Sequence, residues 1–397
     1  MNTNPRNALN FSGGPGALPE TVLQQLEQAI LSVPEVSLSI LGISHRSDFF
    51  AAVVAEAEDN IRTLLGLTDD YQVLLLQGGA TQQFSMVPMT LLHGDTPPAD
   101  YLHTGYWSGK ALPEARLAGP IRVAWSGEAS GFHHLPSEDE LGLSPDAPYL
   151  HYVSNETVEG LQFQRVVGLE GVPRVCDMSS DFLSKPCEAD RFALIYAHAQ
   201  KNIGPAGVTV VVIHNDVIAQ VPEGLPSFLD YRVQAKAHSN FNTPPVFAIY
   251  TVLLVTRWLL HDIGGLAAMA QINQTKAATL YAALEASAGF YRGWAATADR
   301  SRSLRRWRTC CGCSRSRKFT SFSTRSAAAR DRAHRWRLRR RWLTGARRAR
   351  AVHHDRPQKG RPGLVSARLP PRDHLHDLVD QHKVLARRRS VSIGGDE

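Results

Sequence analysis

The chain is poor in cysteine, methionine and lysine. Only Cys176 and Cys187 fall within the first 300 residues, which excludes a disulfide framework and fits free thiols in a reducing cytoplasm. Cys310, Cys311 and Cys313 lack the paired spacing of a zinc site, and His353 and His354 are distant, so no metal is expected. Long hydrophobic runs are missing too. The longest, Pro245 to Leu260, is interrupted by Tyr250, Thr251, Thr256 and Arg257 and is too short to span a bilayer. Met1 to Arg6 is polar and no apolar signal core follows, so a soluble, cytoplasmic protein is expected, with no membrane partner.

Lysine numbers five in residues 1–300, against 12 arginines. One of the five stands in an unusual place. Phe192 to Tyr196 and Val208 to Ile213 read as two buried strands, and Lys201 lies between them where the first strand ends, inside a polar turn rich in Gly and Pro. Desolvation lowers the pKa of an ammonium and exposes a nucleophilic amine, the state that captures carbonyl compounds, pyridoxal phosphate (PLP) among them. A lysine in a surface loop is the plainer alternative. Upstream, Val172 to Ser180 reads as a short strand ending in Asp177. PLP chemistry needs a lysine for the aldehyde and a carboxylate to keep the pyridine nitrogen protonated, and Lys201 and Asp177 can supply them. An Asp at a strand end also serves as a turn residue or helix cap.

Seven motifs then occur in a family-specific order: Asn10 to Gly16, Ser44-His45-Arg46, Gln77 to Phe84, Gly105-Tyr106-Trp107, Asn155 to Gly160, the Lys201 segment, and Phe241 to Pro245. The series resembles the phosphoserine aminotransferase family, PLP enzymes of fold type I, over about residues 10–302. The resemblance implies an α/β fold: a large PLP domain with a mostly parallel sheet and flanking helices, joined to a small C-terminal α/β domain. Periodicity gives the same layered picture independently. Pro19 opens a helix to about Leu31. Ser47 caps a second from Asp48 to Leu65, with Phe49, Val53, Ala57 and Ile61 on its apolar face and Gly66 as its stop. Tyr71 to Leu76 is a buried strand, and Gly78-Gly79 leads into a helix near Thr81, an arrangement suited to an anion. Ala268 to Ser287 reads as one long helix.

By resemblance, Lys201 is the catalytic lysine and Asp177 the partner of the ring nitrogen. Ala80 and Thr81 hold the cofactor phosphate, Trp107 stacks on the ring, Thr157 lies beside it, and Gln200 contacts the phosphate. Trp107 in core packing, Thr157 as a turn cap and a solvated Gln200 are the plainer alternatives. Asn242 and Thr243 resemble residues that reach the phosphate of a neighbouring subunit, which implies a homodimer. Arg46 resembles the residue that grips the carboxylate of glutamate or 2-oxoglutarate, with His45 in a secondary role. Gly13 stands where many relatives carry serine, so a side-chain contact is lost there and a backbone contact is retained. The implied reaction moves an amino group between O-phosphoserine or 3-phosphooxypyruvate and glutamate or 2-oxoglutarate, for serine and pyridoxine synthesis. Cysteine desulfurases and alanine-glyoxylate aminotransferases share the fold type, but the Asn155, Gln200-Lys201 and Asn242 motifs argue against both.

The resemblance stops near Arg302, and the composition changes there. Residues 1–300 carry 17 basic and 30 acidic side chains, a net of −13, whereas residues 301–397 carry 27 and 7, a net of +20. The last 97 residues hold 16 Phe, Ile, Leu and Val and no Met, too little to offset the entropy of ordering. Three readings compete: a nucleic-acid-binding tail with Trp307, Trp336 and Trp342 among its arginines, a solvated disordered extension, or a GC-rich gene read out of frame. The 24 arginines against three lysines favour the third. Nucleic acid is therefore not expected as a partner. The family's substrate-binding His-Arg pair has no counterpart in the tail. The expected partition is an arm over 1–15, the PLP domain over 16–262, a long helix and the start of a second domain over 263–302, and a basic tail over 303–397.

Overall fold

A computed structural model of the protein describes residues 10 and 12–301; the expectations for the tail, its cysteine cluster and its tryptophans lie outside the described residues. The strands are β1 (Tyr71–Gln77), β2 (Ala99–His103), β3 (Ile121–Ser126), β4 (Leu150–Val153), β5 (Asn155–Glu156), β6 (Leu161–Gln162), β7 (Arg174–Asp177), β8 (Leu194–His198) and β9 (Val208–His214). Seven of them form one sheet in the order β1-β9-β8-β7-β4-β2-β3, and β5 pairs with β6 as a separate hairpin. Within the large sheet β9 alone runs against the other strands. The expected mostly parallel sheet is therefore present.

Both faces of the sheet are covered, which is why β1 and β9 read as near-continuous apolar runs rather than alternating ones. Val73, Leu75, Val210 and Val212 pack into one core with helices α1 (Glu20–Leu31), α2 (Asp48–Leu65) and α7 (Val246–Arg257). Their neighbours Leu74, Leu76, Val211 and Ile213 pack into a second core with α3 (Ala80–Leu91) and α4 (Tyr106–Ala118). Three further α-helices lie among the described residues, α5 (Asn215–Ala219), α6 (Tyr231–Lys236) and α8 (Leu266–Glu285).

Helix α2 follows its sequence signals closely. The Ser47 hydroxyl accepts from the Phe50 N–H at 3.3 Å, and Gly66 ends the helix in the left-handed region at φ 65°. Its buried stripe contains Val53, Ala57 and Ile61 as expected, but Phe50 rather than Phe49 is the fully buried aromatic. Val53, Ile61 and Phe50 each contribute about 1.5–3 kcal/mol by leaving water, so the stripe fixes which face meets the sheet. Two boundaries differ from expectation. Strand β8 begins at Leu194 and runs to His198, because Phe192 turns into the core before pairing begins and the Ala193 N–H goes to the Arg174 carbonyl. Lys201 consequently sits in a turn three residues beyond the strand. The long helix spans Leu266–Glu285 rather than 268–287: Gly264 and Gly265, both at positive φ, place its start two residues earlier.

After α8 the chain folds back onto the β5–β6 hairpin. Arg300 forms a bridge with Leu161, the Ser301 N–H donates to the Gly160 carbonyl at 2.8 Å, and Asn155 Nδ2 donates to Ser301 Oγ at 2.8 Å. Among the described residues no single helix is long and apolar enough to cross a membrane. No group of three or more His, Cys, Asp or Glu side chains there is arranged to hold a metal ion.

Candidate active site

The carboxyl ends of the parallel strands β4, β7 and β8 and the start of β9 meet at one edge of the sheet, the place where open α/β sheets bind ligands. Lys201 stands at this edge, in the turn after β8, and is 9% exposed. Its amine donates to the Gly13 carbonyl at 2.8 Å and lies 5.5 Å from the centre of the Trp107 ring. A second strut holds the N-terminal segment to the same turn: the Gly16 N–H donates to the Gln200 carbonyl at 2.9 Å. Gly14 has φ +131°, and a Cβ there would meet Lys201 Cδ at 2.7 Å, so a side chain at this position would displace the lysine.

Asp177 ends β7 one strand away from β8 and is buried at 4% exposure. Burial pushes its carboxyl up to about 6, partly offset by the hydrogen bond from the Ser179 N–H to Oδ1 at 2.8 Å. Ser179 also links this acid to the lysine turn, because its hydroxyl accepts from the His198 N–H at 3.0 Å. The His198 ring is held below its ordinary pKa by burial and by the Lys201 charge. Its Nδ1 bonds Thr209 Oγ1 at 3.0 Å, and that hydroxyl donates to the Gly78 carbonyl at 3.0 Å. The donor direction assigns the ring proton to Nδ1. The Gly78 N–H in turn donates to the Gly207 carbonyl, so the glycine turn before α3 is tied to the lysine turn through β9.

Ala80 and Thr81 form the first turn of α3, whose N-cap Gly79 supplies no side-chain cap. Ala80 is half-buried and the Thr81 side chain is exposed. A helix start of this kind presents unused amides and a positive dipole end. Thr157, in the turn after β5, is buried and its hydroxyl bonds the Ser180 hydroxyl.

The remaining residues form an outer group. Asn242 and Thr243 are exposed, and both contact Gln77 at the end of β1 in their own chain: Asn242 Nδ2 donates to Gln77 Oε1 at 3.1 Å, and Gln77 Nε2 donates to the Thr243 carbonyl. Arg46 is exposed with its backbone N–H on Ser44 Oγ at 3.2 Å. The His45 carbonyl accepts from Asn240 Nδ2 at 2.7 Å, which joins the Arg46 loop to the Asn242 loop, and His45 Nε2 is buried with no partner.

Ser179, His198, Thr209 and Glu156 are the residues that sequence reasoning left without a role. Three of the four lie inside or beside motifs already singled out: Ser179 after Asp177, His198 before Lys201, Glu156 between Asn155 and Thr157.

A family profile described as Aminotransferase class-V matches residues 8–305. The chain belongs to the class-V aminotransferase family. It is 49% identical over 283 residues to a phosphoserine aminotransferase of Laribacter hongkongensis, covering 71% of this chain and 78% of that one. Against a phosphoserine aminotransferase of Rhodopirellula baltica it is 43% identical over 300 residues, covering 75% and 80%. The fold matches the solved phosphoserine aminotransferase of Bacillus circulans subsp. alkalophilus with a TM-score of 0.71 at 44% identity, over 74% of this chain and 81% of that one. A PLP-bound phosphoserine aminotransferase from Trichomonas vaginalis matches with a TM-score of 0.68 at 36% identity, over the same shares. The chain is thus a PLP-dependent aminotransferase of fold type I, and the nucleic-acid alternative is not favoured.

Three features of the edge fit PLP. Trp107 Nε1 is buried without a partner, and the indole beside it faces the lysine amine. A capless helix start supplies amides for a phosphate, and a buried acid one strand from the lysine turn supplies a counter-charge for a ring nitrogen.

Proposed function

We propose that this protein transfers an amino group between O-phospho-L-serine and 2-oxoglutarate, forming 3-phosphooxypyruvate and glutamate, by PLP chemistry centred on Lys201. The observation that carries the reading is the Lys201 amine, fixed 2.8 Å from the Gly13 carbonyl and 5.5 Å from the Trp107 ring. The names of its relatives support the substrate class.

When bound, PLP supplies an aldehyde for an amine and a ring that takes up an electron pair. Lys201 would hold the aldehyde, and its amine, when free, would serve as the base that takes up and returns the substrate's α-proton. Asp177 would hold the ring nitrogen in its protonated form, since a carboxylate buried at this depth gains by pairing with a cation. Trp107 would cover one face of the ring and exclude water. Thr157 donates beside it, with Ser180 fixing the hydroxyl. Ala80, Thr81 and Gln200 bind the phosphate, the first two through the start of α3.

Arg46 binds the substrate carboxylate, with the neighbouring His45 in a secondary role. A homodimer belongs to the same reading: Asn242 and Thr243 are exposed at the end of β1, where they can reach a phosphate in a second copy. Leu31, Leu38 and Leu41 add an exposed apolar surface for a partner to cover. The partition into an arm over 1–15, a PLP domain over 16–262 and the start of a second domain over 263–302 is part of the proposal, as are a cytoplasmic site of action and a contribution to pyridoxine synthesis.

The test is the purified protein and its Lys201→Ala variant. The parent is expected to be yellow and to turn over phosphoserine with 2-oxoglutarate. The variant is expected to lose the lysine-bound colour and at least about a thousandfold in rate. A variant that keeps both would sink the reading.

A further inference from the structure

Trp107 does not fix its own position. Its helix, α4, begins at Gly105, which has no side chain to cap the free amides of the first turn. The cap comes instead from the β5–β6 hairpin. Glu156 Oε2 accepts from the Trp107 N–H at 2.9 Å and Oε1 from the Ser108 N–H at 2.9 Å, while Thr104 Oγ1 donates to Oε1 at 3.3 Å. Glu159 adds a weaker acceptor for the Tyr106 N–H at 3.3 Å. Glycine at 105 is what makes room, since a Cβ there would lie 2.9 Å from Glu156 Cδ. Glu156 is 1% exposed, so both its oxygens are committed to these donors and none is solvated.

We propose that Glu156 is a positioning residue: its carboxylate caps α4 across 49 residues of sequence and so sets the plane of Trp107 over the Lys201 amine and the cofactor ring. This rests on the reading of Trp107 as the wall of the cofactor site. Glu156 neighbours Thr157 on the same hairpin, so one short element orients two walls at once. A carboxylate suits the task better than an amide, because two backbone N–H groups converge on it and a helix N-terminus favours negative charge. Ionisation matters for the same reason. Burial and Glu159 push the Glu156 carboxyl up to about 7, so the full cap exists only above that pH.

The experiment compares Glu156→Gln, Glu156→Asp and Trp107→Ala with a control, Asp100→Asn. Asp100 is an equally buried carboxylate held by Arg122 and the Ser144 N–H near the other end of β2, away from the site. Affinity for PLP is titrated on cofactor-free protein, the visible circular dichroism of the loaded enzyme is recorded, and melting temperatures match the variants for stability. Glu156→Gln turns one acceptor into a donor and is expected to weaken PLP binding about tenfold and to move the dichroism toward that of Trp107→Ala. Glu156→Asp keeps the charge but cannot reach both amides, and is expected to move in the same direction if the glutamine variant does not fold. Asp100→Asn at a comparable melting loss is expected to retain both signals. Parent-like affinity and dichroism in the Glu156 variants, with Trp107→Ala altered, would overturn the proposal alone. A Trp107→Ala protein with unchanged signals would instead overturn the reading of the wall, and the proposal with it.

Discussion

Gly14 passes Lys201 so closely that a Cβ on it would lie 2.7 Å from the lysine Cδ and 3.0 Å from the amine. The close approach is what lets the Gly13 carbonyl meet the amine at 2.8 Å. Gly14→Ala is therefore expected to push the lysine off its position and to strain a backbone at φ +131°. The fold should survive, because the segment is an extension outside both cores. The expected outcome is a protein of nearly unchanged melting temperature whose bound cofactor is no longer trapped on Lys201 by borohydride. Full trapping in the variant would refute this.

Asp177 carries a pH signature. Its carboxyl is raised from 3.8 to about 6 by burial in the cofactor-free protein. The folded state therefore holds more protons than the unfolded one across that window, and this group's contribution to stability is lost as pH rises from about 4 to about 6. Asp177→Asn removes the buried charge and is expected to stabilise the cofactor-free protein at pH 8 by up to about 3 kcal/mol, while weakening PLP binding. Denaturant melts of both proteins at pH 4 and pH 8 check it: the gap should be wide at pH 8 and much narrower at pH 4.

The local features of this chain were readable from sequence, and the long-range ones were not. Ser47, Gly66 and the stripe of α2 act within a few residues, so periodicity and cap chemistry predict them. The Lys201 turn and Asp177 were found because the chemistry needs both groups. The reversal of β9 was not read, since an apolar run carries no direction. Ser179, Glu156 and Thr209 were missed because their partners lie 19, 49 and 131 residues away. Phe50 displaced Phe49 because position on a helix fixes a face only to within one residue.

Thr209 lets the lysine turn and the glycine turn share one hydroxyl. Thr209→Val keeps the shape and removes the links to His198 and Gly78. Loss of a neutral hydrogen bond of roughly 1 kcal/mol is expected to loosen the start of α3 and weaken PLP binding about fivefold. Inorganic phosphate should compete less well for the cofactor-free variant. Equal competition in parent and variant would refute the coupling.

Arg46 is exposed and is read as a substrate contact rather than a cofactor contact, so its removal should leave the cofactor's spectrum alone. Arg46→Ala is expected to raise KM for 2-oxoglutarate roughly tenfold to a hundredfold, with kcat changed much less. Steady-state kinetics in both directions separate the two. An unchanged KM would remove Arg46 from the substrate site.

The change of net charge from −13 before residue 301 to +20 after it makes a prediction about the gene. Reading the coding DNA in the other two frames from about codon 303 is expected to yield an apolar sequence with the family's His-Arg pair. In that case the chain as written should turn over phosphoserine poorly, and full turnover would argue against it.

The pairing of β1 with β9 joins Tyr71 to His214 and Gln77 to Val208. Among the described residues, the strand that leads into the glycine turn thus gains its one sheet neighbour from a segment synthesised more than a hundred residues later. On the ribosome, β1 must wait beside α2 while the middle of the sheet is made. The start of α3, which the proposed function gives the phosphate, is consequently tied down by the last of the described strands to emerge, so cofactor loading is expected to report that this sheet has closed.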